Sequence, residues 1–406
     1  MPPVADMWSI FGAQNEPFPS FSYPTYLTLI WESIHQNGNA CDYISDSVIE
    51  DATIKNGQLY YGPRKYHTLF MVDVQRMQPS TLQKLHAFAS SGGRIFCIEN
   101  EPGKALGISN QQKNNQAVQT WLTQLKALPK NFILLPRPES NILQWYRHIQ
   151  QQYGIIPYVK IDNPLNFVTQ VRYQTDGTEI LIFINSDAQT AHPIKIAVNK
   201  ALHASKQAWI WEADTGNRYK VEPRNGMIEL DLGPADSRLL VFDQHTNGEN
   251  WHPDAAAGTQ TVMPNNWTIE FKHLDGTVKR AALVELRDLK DLPDFANMAG
   301  KAVYRTQLNI ADPAKVKYIN LGQVHGLSDI SINGVSMGAK WYGRRIYPVK
   351  EAFKTGINTI EITITTSMGN YMKTLVDNPI AQKWTNNPRR PQPAQSMGLI
   401  GPVTIY

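Results

Sequence analysis

Apolar positions recur along this chain with two different periods. Through residues 1–157, short apolar runs alternate with stretches of helical spacing. Residues 26–37 (YLTLIWESIHQN) place Leu27, Ile30, Trp31 and Ile34 on one face, with Gly38 just beyond as a stop. PSTLQKLHAFASSGG predicts a second helix, with Pro79 near its start, Leu82, Leu85 and Phe88 on one side and Gly92-Gly93 as its end. NNQAVQTWLTQLKAL and SNILQWYRHIQQQYG predict two more helices. Between them, TLFMVDV, RIFCIEN and FILLP are apolar runs of strand length; ADMWSIFG reads as a first strand and CDYISDSVI as another, or as a strand with a turn. A small hairpin is expected in DATIKNGQLYYG, turned at Asn56-Gly57. Apolar strands that alternate with helices predict a doubly wound parallel sheet of flavodoxin-like type.

From residue 158 the helical period disappears. FVTQVRYQ, TEILIFINS, HPIKIAVN, QAWIWEAD, RYKVEP, GMIELDL and SRLLVFD are short strands, with turns at Asp176-Gly177, Thr215-Gly216 and Asn225-Gly226. They predict a small β-sandwich over 158–246. Residues 244–260 are rich in Gly, Asn and Ala without periodicity, and the linker is placed at 247–260. A third domain is expected over 261–406. In it Ile330 and Ile332 alternate with Ser331, and Ile360, Ile362 and Ile364 alternate with Glu361 and Thr363. A period of two marks half-buried strands. Asn333-Gly334 fits a two-residue hairpin, and Lys354-Thr355-Gly356 marks a turn before the last long strand. The tail from Met368 is poor in strand signals and too long for an ordinary connection, until IGPVTIY supplies a closing strand.

Composition narrows the function classes. The 406 residues carry 39 Lys+Arg against 35 Asp+Glu, a net charge of +4, with no long basic run, so nucleic acid is not an expected partner. No apolar run approaches the ~18 residues of a membrane span, and MPPVADMWSIFG lacks the charge and apolar core of a signal peptide. The chain is therefore expected to be cytosolic, or else a piece of a longer protein that is periplasmic or secreted. Cys41 and Cys97 are too few for a disulfide framework and read as buried free thiols. No glycine-rich phosphate loop follows any strand, so no cofactor is expected. Histidine spacing does not suggest zinc, and neither Asp275-Gly276 nor Asp377-Asn378 forms a ligand-dense calcium loop, so no metal is assigned.

Two resemblances go further. Tyr304-Arg305, Ile332-Asn333-Gly334, Trp341-Tyr342 and Gly356-Ile357-Asn358 resemble the motifs of the galactose-binding-like jelly-roll module of family 2 glycoside hydrolases and their relatives. Across nearly the whole chain, VADMWSIFG, then DYISDSVI … NGQLYYG … YHTLFMVDVQRMQPSTLQKLHAFASSGGRI, then Trp267 to Phe271 and Asn297 to Arg305, resemble in order the C-terminal half of the family 106 glycoside hydrolases, the α-L-rhamnosidases. The segment WIWEADTGNRYKV … SRLLVFD similarly resembles a β-domain appended to many glycosidases.

The rhamnosidase resemblance implies a catalytic (β/α)₈ barrel lying N-terminal to these parts. Glycosidic cleavage needs two carboxyl groups about 5–10 Å apart on a rigid frame, and no eight βα units precede residue 160. No catalytic residue is therefore assigned, and the expected function is a non-catalytic ancillary portion that supports a barrel domain or subunit and contacts glycan. Sugars are bound by aromatic faces and planar polar groups. Trp341, Tyr342, Arg344, Arg345 and Tyr347, together with Asn370, Tyr371 and Trp384 on the tail, are the candidates. Core burial is the competing account for the aromatics, and inter-domain contact for the arginines. The alternative function is a structural brace without sugar binding. A third reading, a complete hydrolase, would place its site at the strand ends near Asn15-Glu16 and Glu99-Asn100-Glu101.

Overall fold

The computed structural model describes residues 24, 26–251, 261–263, 266–349, 351–386 and 392–406, which fall into two compact units, 1–171 and 172–406. The predicted first strand, residues 5–12, lies outside the described residues, as does most of the predicted linker.

In the first unit, helix α1 (Tyr26–Gln36) buries Leu27, Ile30 and Ile34, as its spacing requires. Three parallel strands follow, β1 (Thr68–Val72), β2 (Arg94–Ile98) and β3 (Phe132–Leu135), paired in that order with Thr68 opposite Arg94 and Ile95 opposite Phe132. Helices α2 (Pro79–Ser90) and α3 (Gln111–Lys126) pack Leu82, Leu85, Phe88, Val118, Leu122 and Leu125 against Ile95 and Cys97 on one face. On the other face α1 and α4 (Ile142–Gln152) bring Ile30, Ile34 and Tyr146 to Val72 and Ile98. Alternate residues of a strand point to opposite faces, so β2 must be apolar throughout to serve two layers of helix. Gly93 ends the α2 turn because a Cβ there would meet the Phe88 ring at 2.2 Å.

One element differs from its predicted form. Residues 41–49 are not a strand. The chain runs irregularly to Ser45, whose Oγ accepts from the Val48 N–H at 3.4 Å, and a short helix spans Asp46–Asp51. The capping serine and the acidic first turn outweigh the local apolar residues. Cys97 is buried within β2, Cys41 is half-buried outside any strand, and both are free thiols. The expected hairpin is present, with Thr53 opposite Tyr60 and Asn56 and Gly57 both at positive φ.

The second unit is built of antiparallel strands and short helices. Strands β4 (Thr178–Asn185), β5 (Gln207–Trp211), β6 (Arg218–Lys220) and β7 (Ser237–Asp243) lie in the order β6-β5-β7-β4. In another sheet His192–Val198 pairs antiparallel with Ile228–Leu232. Farther along the chain a six-stranded sheet has the order Val278–Leu283, Trp267–His273, Gly300–Ile310, Gly356–Thr365, Leu327–Ile332, Val335–Lys340. Its long central pair sets Tyr304 opposite Ile362 and Arg305 opposite Glu361. Ile330, Ile332, Ile360, Ile362 and Ile364 are all fully buried, whereas Glu361 meets Arg305 at 2.7 Å on the other face. The apolar face shares one core with Ile319, Tyr347, Leu399 and Ile405 from shorter strands opposite. Much of the tail is helical, over Gly369–Thr374 and Pro379–Thr385, before strands Gly398–Gly401 and Thr404–Ile405 close it. Among the described residues no helix is long and apolar enough to cross a membrane.

Candidate functional site

The eight candidate residues do not form one patch. Tyr347 is 1% exposed, and its hydroxyl donates to the Ser328 carbonyl at 2.9 Å; it is a core residue with no free face for a sugar. Asn370 is buried too. Its amide donates to the Gln395 carbonyl at 2.8 Å and its Oδ1 accepts from the Gln395 N–H at 2.7 Å, so it fastens the tail. The Tyr371 ring lies edge-on to His273 at 4.6 Å between centroids. Trp384 is 69% exposed, beside a small hollow lined by Gly369, Lys373 and Gln395.

The remaining four lie on one loop, residues 341–345, whose conformation is fixed from across the unit. Tyr342 Oη donates to Asp214 Oδ2 at 2.6 Å. Burial and the nearby Asp214 carboxylate push that phenol up to about 12. Arg344 forms a two-pronged pair with Asp231, Nε to Oδ2 at 2.9 Å and Nη2 to Oδ1 at 3.0 Å. The Gly343 N–H donates to the Pro234 carbonyl at 2.9 Å. A Cβ on Gly233 would stand 2.5 Å from the Arg344 nitrogen, so the backbones touch only because that residue is glycine. Arg344 and Tyr342 are thus both engaged by residues far away in sequence, Asp231 and Asp214. Arg345 turns inward at 8% exposure, where Nη1 donates to the Gly343 carbonyl at 2.9 Å and Nη2 to the Gly326 carbonyl at 3.4 Å. Trp341 is left 70% exposed, its ring edge-on to Tyr342 at 4.9 Å.

This clamped loop forms one wall of an open cleft of about 680 Å³. Residues 188–191 and 234–235 continue the lining as its rim, joined to the loop at Gly343, and residues 320–326 with Ser367 and Ser396 complete it as the floor. The rim is held by Asn185, whose amide donates to the carbonyls of Thr190 at 2.8 Å and Gly233 at 2.7 Å. Hydrogen bonds from the Gln189 and Thr190 backbone hold the Asp187 carboxyl below the usual carboxylate range. On the floor Gln323 Nε2 donates to His325 Nε2 at 3.0 Å, leaving the histidine proton on Nδ1. Burial pulls the His325 pKa down, so the ring is neutral at pH 7.

Of the residues proposed from sequence, Trp341, Arg344 and Arg345 line this cleft, and none of its floor was among them. The floor's signal is short: GQVHG, a polar strand between glycines at φ +67° and +132°. A Cβ on Gly322 would meet the Pro402 carbonyl at 2.5 Å, and one on Gly326 the Thr365 carbonyl at the same distance. At the strand ends of the first unit, Glu99 accepts from the Tyr26 hydroxyl and stands 3.9 Å from Arg137, and Glu101 pairs with Lys126. Asn15 and Glu16 lie outside the described residues. No group of three or more His, Cys, Asp or Glu side chains is placed to hold a metal among the described residues, and neither Asp275 nor Asp377 belongs to one.

No family model matches the chain, and no curated protein matches it. Among solved structures, a rhamnosidase from Novosphingobium sp. PP1Y superposes over 90% of this chain and 36% of its own, with a TM-score of 0.57 and 19% identity. This chain thus spans about a third of that protein's length, and over that part the two share a mixed α/β fold. A GH42 β-galactosidase covers 58% of this chain and 38% of its own, with a TM-score of 0.35 and 10% identity. A Ruminococcus gnavus β-glucuronidase covers 26% of this chain and 21% of its own, with a TM-score of 0.24 and 12% identity.

Proposed function

We propose that this chain is the non-catalytic ancillary portion of an α-L-rhamnosidase-like glycoside hydrolase and that it binds glycan in the cleft beside Trp341. In this reading the chain comprises a flavodoxin-like domain at 1–157, a small β-sandwich at 158–246, a linker at 247–260 and a galactose-binding-like jelly roll at 261–406. The observation that carries the proposal is the 70% exposure of Trp341 on a loop that is otherwise pinned by Tyr342, Gly343 and Arg344. A large aromatic ring left in water on a rigid support is a ready platform for the C–H face of a pyranose. Gln189, Thr190, Asn320, Gln323, Ser367 and Ser396 line the same cleft and carry amides and hydroxyls of the kind that take ring hydroxyls. The fold likeness to part of a rhamnosidase supplies the enzyme context.

Calorimetry with rhamnose-containing oligosaccharides on the purified chain tests this. Binding without turnover of an aryl rhamnoside is the expected result. Turnover by the chain alone would refute the non-catalytic reading, and a flat titration across glycans would refute the sugar site. The second reading, a brace for a separate catalytic unit, is favoured by an apolar hollow of about 460 Å³ in the first unit, lined by Leu27, Trp31, Tyr43, Leu69 and Met71. That account predicts a one-to-one complex with a catalytic barrel that survives substitution of Trp341.

A further inference from the structure

The charge on the cleft walls is one-sided. Two arginines line it beside a neutral histidine, and no acidic residue does, among the described residues. The carboxylates nearby are each engaged elsewhere. Asp231 is taken by Arg344, Asp236 by Arg238 at 2.9 Å, Asp288 by Lys290 at 3.2 Å and Asp187 by His192 at 3.2 Å. Arg345 is different. It is buried, and no carboxylate lies within ion-pair distance among the described residues. Its Nη1 and Nη2 rest on two backbone carbonyls, and its Nε, shielded from water, has no acceptor. A guanidinium has five N–H donors and stays charged at any physiological pH. The Asp236 carboxylate, already bonded to Arg238, acts on it only from a distance; burying a charge with no contacting counterion is costly, and beside an open cleft an anion from outside the chain can take that place.

We infer that the cleft takes an acidic sugar, a uronate residue whose pyranose ring lies on Trp341 and whose carboxylate is held by Arg345. This inference rests on the sugar-binding reading and narrows it. Arg344 is less suited to that part, because its Nε and Nη2 are spent on Asp231, which already balances its charge. His325 and Gln323 form a neutral pair on the floor and suit ring hydroxyls better than the acid. The arrangement divides the work: the aromatic face binds any pyranose of suitable width, and the cation selects the charged one. A carboxylate–guanidinium bond is planar and directional, so it would also fix which way the sugar points.

Calorimetry on the whole chain with three probes tests the inference: trigalacturonate, its methyl ester, and galactotriose. The acid is expected to bind at least tenfold more tightly than the other two, a difference of about 1.4 kcal/mol, and the advantage is expected to shrink at high salt. Arg345→Gln should bring the three affinities together, while Trp341→Ala should weaken all three alike. Equal affinities for acid, ester and neutral trisaccharide in the unaltered chain would overturn the acidic-sugar inference and leave the sugar site standing. Failure of all three to bind would overturn the acidic-sugar inference, and would overturn the sugar site as well only if rhamnose-containing oligosaccharides also gave a flat titration. Should Arg345→Gln not fold, the acid-to-ester ratio in the unaltered chain decides, because it needs no substitution.

Discussion

Trp341 and Tyr347 stand six positions apart, and the difference between them is that of a surface and a core. Trp341 touches little besides Tyr342, so Trp341→Ala should leave the far-UV spectrum and melting temperature unchanged. Its effect should be a loss of about tenfold in oligosaccharide affinity, the worth of a good aromatic face. An unchanged affinity would remove the platform from the site. Asp288 makes the opposite case, a residue that matters to folding. Burial acts to raise its carboxyl, but N–H donors from Met397 and Lys290, each at 3.0 Å, hold it below its ordinary value. The unfolded chain therefore takes the proton first as pH falls. The stabilisation is complete above about pH 4, the ordinary carboxylate range, and is lost as pH drops through the lower folded value. Asp288→Asn should destabilise by about 1–3 kcal/mol at pH 7 and flatten the acid limb of a stability-against-pH curve. An acid limb identical to that of the unaltered chain would place the sensitive group elsewhere.

At the scale of elements, the strand Gly356–Thr365 and the loop 341–345 respond to different forces. Ile362 is fully buried against Tyr304 and Ile330, its register partners. Ile362→Ala should cost about 2–5 kcal/mol, the transfer and cavity penalty together, read as a lower urea midpoint. Arg344→Ala removes an ion pair whose partners are both more than a third exposed, and such pairs contribute at most about 1 kcal/mol to stability. The consequence should appear in the loop, as faster amide exchange at residues 341–345 and weaker ligand binding with little change in melting. A large stability loss from Arg344→Ala would show that the loop holds the sheet groups together rather than merely resting on them. Sequence patterns revealed Gly356–Thr365 fully, because burial on one side of a strand writes itself as alternation. They revealed the loop only as a list of residue types, because its partners Asp214, Asp231 and Pro234 lie more than a hundred positions away in sequence.

For the molecule as a whole, the cleft belongs to the 172–406 unit alone. A ligand at 100 times its dissociation constant adds about 2.7 kcal/mol to the state that binds it. Hydrogen exchange should therefore slow in residues 172–406 on adding oligosaccharide, with residues 26–171 unaffected. Equal protection in both would mean that the binding energy reaches beyond the unit that contains the site. The net charge of +4 is small for a chain of this length, so local charge, Arg345 above all, carries the electrostatics of the cleft.

The sequence by itself determined the elements: parallel strands between helices in the first unit, hairpins in the second, and the isoleucine face of the long sheet. It could do so because periodicity and turn chemistry are local properties, each readable within a dozen residues. The Asp46–Asp51 helix escaped it because a single capping serine outweighed a short apolar run. Only the tertiary structure decided which of eight candidate side chains face solvent, which of two adjacent arginines is paired, and where a cleft opens. Those outcomes depend on contacts between segments far apart in sequence, and no local pattern encodes which carboxylate will already be taken.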